Sequence, residues 1–367
     1  MSDVIGSISE VTPQWLTLLL RDAGYLNDGD VTTVRLQTIE AFNSVVVKLE
    51  PTYSAGAVAP HALILKLNAD AAGQEEVAFY DLVKIGKTKH NRDDSMLVSC
   101  VEAAFDAASG ASQLLLIDVS GTHEGAVERE SLLGLNGVPS KARLLGVVEA
   151  LARFHATWWE HPFLSQYQAT RLAEGHRGKE AFERRWEGHQ QDYSAFASTH
   201  GKSFPAEIHA LYKFALDAHR VVWTKYLEPR VSQLSNLTLT HNDAYLTQFL
   251  SPKSDVGPTY LVDFQSVCTD FAARDLVYLL STFWTCEQRQ RHESALLTRY
   301  HQVLTEQGVT GCSLTMLFED YRLALIDMIF HPLWDTTYGA ESAYWRPKLE
   351  CLVAAYQDWN CEALLQG

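Results

Sequence analysis

Two acidic residues in this sequence have the setting that phosphoryl transfer chemistry needs. Asp243 lies in the run His241-Asn242-Asp243-Ala244-Tyr245-Leu246-Thr247-Gln248, and Asp263 follows in Val262-Asp263-Phe264-Gln265. Each comes just after a short apolar, strand-like run, residues 237–240 and 260–262, so each carboxylate belongs to a loop at a strand end. Moving a γ-phosphoryl group asks a protein for little covalent chemistry and for much positioning and charge neutralisation. One carboxylate must accept or orient the proton of the acceptor hydroxyl, and another must hold a divalent metal against the phosphates. Asp243 fits the first role and Asp263 the second. Residues 251–258 are rich in chain-reversing types, so the two apolar runs are expected to pair and bring both loops to one end. Taken alone, the same stretch also reads as an ordinary hairpin with solvated acids.

The elements that would position these groups begin with residues 63–67, Leu-Ile-Leu-Lys-Leu, where Lys66 is a charge in an otherwise apolar strand. Such a charge is costly unless paired, and Glu76, near the start of a helix expected over 74–85, is the natural partner. In a nucleotide site the lysine would hold the α- and β-phosphates and the glutamate would fix it; a surface lysine on an edge strand is the alternative. Residues 39–44, between the strands expected at 31–39 and 44–49, contain no glycine, and Asn43 and Ser44 could cap a phosphate or simply turn the chain. Residues 114–119, with Leu116 and Asp118, read either as a strand offering backbone groups to an adenine edge or as a core strand.

Two further residues bear on the Asp243 loop. Asp275 opens a helix and could brace the loop through hydrogen bonds, as could His241 from within it; for Asp275 a plain helix-terminus carboxylate is the alternative. His155, at the end of an apolar helix, reads as a packed, hydrogen-bonded core histidine. Trp284, Asp327, His331, Trp334 and Asp335 form an aromatic and acidic mixture that could line a site for a cationic or polycyclic alcohol, or serve as core and rim.

The composition narrows the classes. With 367 residues and 47% hydrophobic content the chain can bury a large core, as one bilobal unit or two domains. A formal net charge of −15, with acids concentrated in both end regions, excludes nucleic acid as an expected partner. The sequence has neither an apolar run long enough to span a bilayer nor a basic n-region at its start, so no membrane association and a cytoplasmic location are expected. The six cysteines are scattered without metal-ligand spacing, which predicts free thiols. No Gly-x-Ser-x-Gly turn supports a hydrolase. Strand patterns dominate residues 1–119 around one main helix, and helical patterns dominate 120–367, at 140–159, 178–198, 205–230, 272–306, 313–331 and 343–364. The fold class is therefore α+β, a β-rich N-terminal nucleotide-binding lobe and a larger helical lobe for catalysis and substrate, with the nucleotide expected between them.

With these residues in place, the chain resembles the aminoglycoside phosphotransferase and choline kinase-like superfamily, and most closely its ecdysteroid-kinase-like branch. The likeness runs in order through the Lys66 strand, the helix from Glu76, residues 114–120, the run 151–159, the loop 241–248, and Asp263 with Asp275. It implies a bilobal protein-kinase-like fold and ATP- and Mg²⁺-dependent phosphorylation of a small-molecule hydroxyl. By the same likeness Lys66 binds ATP phosphates, Glu76 pairs with it, Asp243 is the catalytic base or positioner, and Asp263 and Gln248 are metal ligands. The family pattern is His-Gly-Asp, four residues, then Asn; here Asn242 stands for the glycine and Gln248 for the asparagine. Gln248 in place of that asparagine, together with the glycine-free residues 39–44, keeps open a pseudokinase-like protein that binds a nucleotide or ligand without transfer.

Overall fold

The computed structural model describes residues 4–40, 44–90, 95–166, 178–254 and 256–366, so the phosphate-capping role expected for Asn43 lies outside the described residues. The chain divides into two compact units. The first comprises Met1–Glu124, Pro252–Ser254 and Tyr260–Val267; the second comprises Gly125–Ser251, Asp255–Thr259 and Cys268–Gly367.

The first unit is a five-stranded antiparallel sheet with two main helices. Strands β1 (Val31–Ile39), β2 (Val45–Tyr53), β3 (Leu63–Asn68), β4 (Cys100–Phe105) and β5 (Ser112–Ile117) lie in the order β1-β2-β3-β5-β4. Alternation along β3 sends Leu63, Leu65 and Leu67 into a core with Val47, Leu49 and Leu115, closed by Leu16, Leu19 and Leu20 of α1 (Pro13–Asp22). Pro13 opens α1, and the Thr12 hydroxyl caps it by accepting from Trp15 N. Helix α2 (Ala71–His90) is longer at both ends than the expected 74–85.

Helices dominate the second unit, and several expected long helices are broken by local chemistry. The pattern over 272–306 becomes Ala273–Ser281 and Cys286–Glu306 because Thr285 and Gln288 form a capping box that starts a new helix. The pattern over 205–230 becomes Ala206–Asp217 and shorter turns, with a π-helical turn at Val222–Leu227 just before Pro229, which has no N–H to continue the ladder. The run Thr238–Thr240 does not pair with residues 260–262 as expected. It pairs antiparallel with Cys268–Asp270. That pairing suits buried polar residues: Thr240 Oγ1 donates to Cys268 O, while Thr238 Oγ1 donates to His155 O. The α+β class expected from the sequence is the class observed. All six cysteines are free, and no helix among the described residues is long and apolar enough to cross a membrane.

Candidate active site

In the first unit, Lys66 lies on the middle strand of the sheet, which removes the edge-strand reading. Its pleat position is opposite the core leucines, on the face it shares with Val46 and Leu114, its register partners, and with Ile64 and Leu116. The ammonium sits between two carboxylates, 2.8 Å from Glu76 Oε2 and 2.6 Å from Asp263 Oδ1. Burial pulls the lysine pKa down, but the charges of Glu76 and Asp263 outweigh it and leave the value above that of an ordinary lysine. Lys66 is therefore a fixed cation.

Glu76 is buried in the second turn of α2, and its Oε1 also accepts from Phe264 N at 3.2 Å. One glutamate thus holds both the lysine and the turn that carries Asp263. Phe79 stacks on Phe264 at 4.0 Å between centroids, which fixes the same turn from the apolar side. Asp263 has a left-handed backbone (φ 70°, ψ 63°) where the extended chain breaks into the 3₁₀ turn Phe264–Ser266. Aspartate tolerates that conformation better than bulky or branched residues do. Its side chain is 37% exposed, so a carboxylate remains presented to solvent while paired with Lys66.

Of the other residues expected here, Leu116 lies on the Lys66 face of β5. Asp118, just past β5, pairs with Lys48 at 2.8 Å and accepts from Ser120 N at 2.7 Å. Burial raises its pKa, and the Lys48 hydrogen bond overrides that and leaves the carboxyl below its usual range. Ser44 immediately precedes β2 and is partly buried.

In the second unit, the Asp243 loop hangs from one buried carboxylate. Asp275, fully buried at the start of helix Ala273–Ser281, accepts from His241 N at 2.6 Å and from Asn242 N at 2.8 Å. It also contacts His155 Nε2 at 3.0 Å, while His155 Nδ1 lies 2.7 Å from the Tyr300 hydroxyl. With Nε2 donating to Asp275, Nδ1 accepts from Tyr300, and the tautomer is fixed from both sides. Asn242 is left-handed (φ 60°), a conformation asparagine adopts more readily than most side chains, and its Oδ1 accepts from Arg274 Nε at 3.2 Å. Asp243 is then turned back on itself, Tyr245 N donating to its carbonyl at 2.8 Å. The 3₁₀ turn Leu246–Gln248 brings the Gln248 amide to it, Nε2 donating to Asp243 Oδ2 at 2.9 Å. His155, read from the sequence as a packed histidine, is one and also braces the loop. Tyr300 and Arg274 went unread, although Arg274 adjoins Asp275 in sequence.

The residues expected to meet an acceptor divide three ways. Trp284 is buried, and its Nε1 donates to Leu279 O. Asp327 is engaged by three internal partners: Arg274, Arg185 Nε at 3.3 Å and His189 Nε2 at 2.9 Å. His331, Trp334 and Asp335 share the helix His331–Thr337, where Asp335 pairs with Lys348 at 2.7 Å and Trp334 is 46% exposed. Both acids are paired with cations from within the unit, which accords with the core-and-rim alternative read from the sequence. Lys348 escaped the sequence reading. Its signal was its place on the buried stripe of helix Ser342–Asp358, with Trp345, Leu349 and Leu352.

A magnesium ion needs oxygen ligands, keeps several waters and is commonly held by one or two carboxylates together with substrate phosphates. In the first unit Asp263, exposed in part and already paired with a cation, fits that demand. Among the described residues no group of three His, Cys, Asp or Glu forms a self-sufficient metal cage.

A model of the Ecdysteroid kinase-like family matches residues 136–309, which include Asp243, Gln248, Asp263 and Asp275. No curated protein matches the sequence. Among solved structures, the chain is similar to an ethanolamine kinase of Plasmodium vivax, with TM-score 0.54 and 12% identity, over 90% of this chain and 83% of that one. It is also similar to a choline/ethanolamine kinase family protein from Mesorhizobium loti, with TM-score 0.52 and 12% identity, over 91% and 93% of the two chains. An aminoglycoside phosphotransferase from Alicyclobacillus acidocaldarius gives TM-score 0.51 and 13% identity, over 91% of each chain. The likeness to these structures is one of fold, and with the family match it bears out the resemblance read from the sequence.

Proposed function

We propose that this chain transfers the γ-phosphoryl group of ATP, with Mg²⁺, to a hydroxyl group of a small molecule. The observation that carries the reading is Lys66 held on a central strand between the buried Glu76 and the partly exposed Asp263. A buried Lys–Glu pair whose lysine also reaches a second, solvent-accessible carboxylate is suited to gripping phosphate oxygens beside a metal. Lys66 binds the nucleotide phosphates, Glu76 orients it, and Asp263 holds the metal, with Gln248 as an additional oxygen ligand. Leu116, Asp118 and Ser44 belong to the nucleotide side. The metal, when bound, neutralises charge on the phosphates. Asp243 accepts a hydrogen bond from the acceptor hydroxyl, aims its oxygen for attack and takes the proton as the new oxygen–phosphorus bond forms and the bond from the γ-phosphorus to the bridging oxygen breaks, with ADP leaving. Asp275 and His241 hold the loop that aims it.

The test is ATP turnover against a panel of hydroxylated metabolites, with Asp243→Asn and Asp263→Asn as controls. Each substitution is expected to lower kcat at least a hundredfold, and Asp263→Asn to weaken Mg-ATP binding as well. Turnover untouched by both changes refutes the assignment. A second reading, nucleotide binding without transfer, is favoured by one feature of the chain: Gln248, a methylene longer, stands where the family pattern has its metal-binding asparagine. Metal-independent ATP binding in calorimetry, with no turnover on any acceptor, selects it.

A further inference from the structure

Lys348 is fully buried in helix Ser342–Asp358, a costly place for an ammonium unless the surroundings compensate it. They do so in two ways. On one side the ammonium pairs with Asp335 Oδ2 at 2.7 Å and lies 3.0 Å from His331 Nδ1. Burial pushes the His331 pKa down to about 4, so its ring is neutral at ordinary pH and Nδ1 accepts from the lysine. On the other side the ammonium faces three rings, with centroids at 4.8 Å for Tyr344, 5.5 Å for Tyr245 and 5.9 Å for Phe283. Ring faces turned on an ammonium with a carboxylate behind form a cation-binding environment, and here the chain supplies the cation itself. Tyr245 ties that environment to the catalytic loop, being two residues past Asp243 and hydrogen-bonded to its carbonyl. The Asp243 carboxylate is near enough to favour the charged form of Lys348, although burial, the larger effect, leaves the lysine pKa below its usual value.

We propose that Lys348 is a specificity-determining residue that fills the ring-walled, acid-backed place beside the Asp243 loop, so that this site selects acceptor alcohols that are uncharged or anionic and rejects amino alcohols. The inference rests on the phosphotransferase reading for the word acceptor. Its physical content is a charge preference in ligand binding, which can be read without turnover. A second ammonium placed there would meet a like charge whose one close counter-ion is already used.

Choline and its uncharged tert-butyl isostere differ in that one charge. Calorimetric titration of both into the wild-type chain is expected to favour the isostere by tenfold or more. In Lys348→Met the ratio should move at least tenfold toward choline, with ATP affinity unchanged. Because Lys348→Met leaves Asp335 buried without its partner, the double variant Lys348→Met, Asp335→Asn serves as the neutral-pair control and should shift the ratio in the same direction. Choline binding that appears only on loss of Lys348 supports the proposal equally. A wild type that prefers choline, or a ratio unchanged in folded forms of both variants, overturns it. If no form turns over any alcohol yet the ratio shifts as expected, the phosphotransferase reading fails and the role of Lys348 in ligand charge selection stands.

Discussion

The two ends of the Gln248 amide serve different ends of the proposed function. Its Nε2 donates to Asp243 Oδ2 at 2.9 Å, so the nitrogen is committed to that carboxylate, which leaves the carbonyl oxygen as the end that the proposed function assigns to a metal. An asparagine is one methylene shorter, and displacements of about 1 Å at a reacting centre cost on the order of a hundredfold in rate. Gln248→Ala removes both duties, whereas Gln248→Glu keeps an oxygen for the metal and loses the donor to Asp243. The expected outcome is a fall in kcat of roughly ten- to a hundredfold for both variants, with the Mg²⁺ concentration for half-maximal rate raised in the alanine variant only. Steady-state kinetics across a Mg²⁺ series measures this. Equal Mg²⁺ dependence in wild type and alanine variant would show that Gln248 serves Asp243 alone. Asn242 shows the same economy: its left-handed backbone suits asparagine, and its side chain is held by Arg274, so the departure from glycine in this loop has a structural partner.

At the scale of elements, the placement of α2 decides where Glu76 stands, and Gly73 decides the placement of α2. A β-carbon built on Gly73 would lie 2.0 Å from Ser112 Oγ and 2.6 Å from Asn68 Cβ, so this helix turn rests directly on the ends of β3 and β5. Ser112 Oγ can rotate away, but Asn68 Cβ cannot. Alanine is the better helix former by about 0.5–1 kcal/mol, yet overpacking at a close contact costs about 1–3 kcal/mol, so the clash wins. Gly73→Ala is expected to lower the urea midpoint and to raise the KM for ATP by lifting Glu76, one helical turn further on, away from Lys66. Adding Ser112→Ala should recover only part of the loss. A variant as stable as wild type with unchanged KM would mean that α2 is placed by its other contacts. Element-level reasoning from sequence succeeded where periodicity and charge agree, as for the alternating leucines around Lys66. It failed where strands are too short to carry a register: Thr238–Thr240 has three residues, and no pattern in it distinguishes Cys268–Asp270 from residues 260–262 as its partner.

At the scale of the whole chain, the charges were legible because a lysine in an apolar strand and carboxylates at strand ends are expensive without partners. Lys348 was not, because a lysine in a helix is ordinary until the face it occupies is known. The make-up of the first unit was also hidden, since contacts between residues far apart in sequence leave no local pattern. A boundary near residue 119 looks natural from composition, yet the first unit takes in Pro252–Ser254 and Tyr260–Val267. Those late residues supply Asp263 to Lys66, place the fully buried Phe264 against the fully buried Phe79, and give Leu261 N to Met96 O at 2.8 Å. Burying one phenylalanine contributes about 1.5–3 kcal/mol, a large part of the stability of a small domain. The fragment 1–124 alone is therefore expected to lack cooperative unfolding. Joining residue 124 to residues 252–267 should restore it, because Lys253 N already donates to Thr122 O at 2.8 Å and the junction needs only a short linker. Urea titrations followed by circular dichroism on the two constructions decide the matter. Equal cooperativity without the late segment would show that the sheet and α2 suffice for this unit. Cooperativity that returns with residues 252–267 and weakens again in Phe264→Ala would show that the turn carrying Asp263 is also part of what holds the unit together.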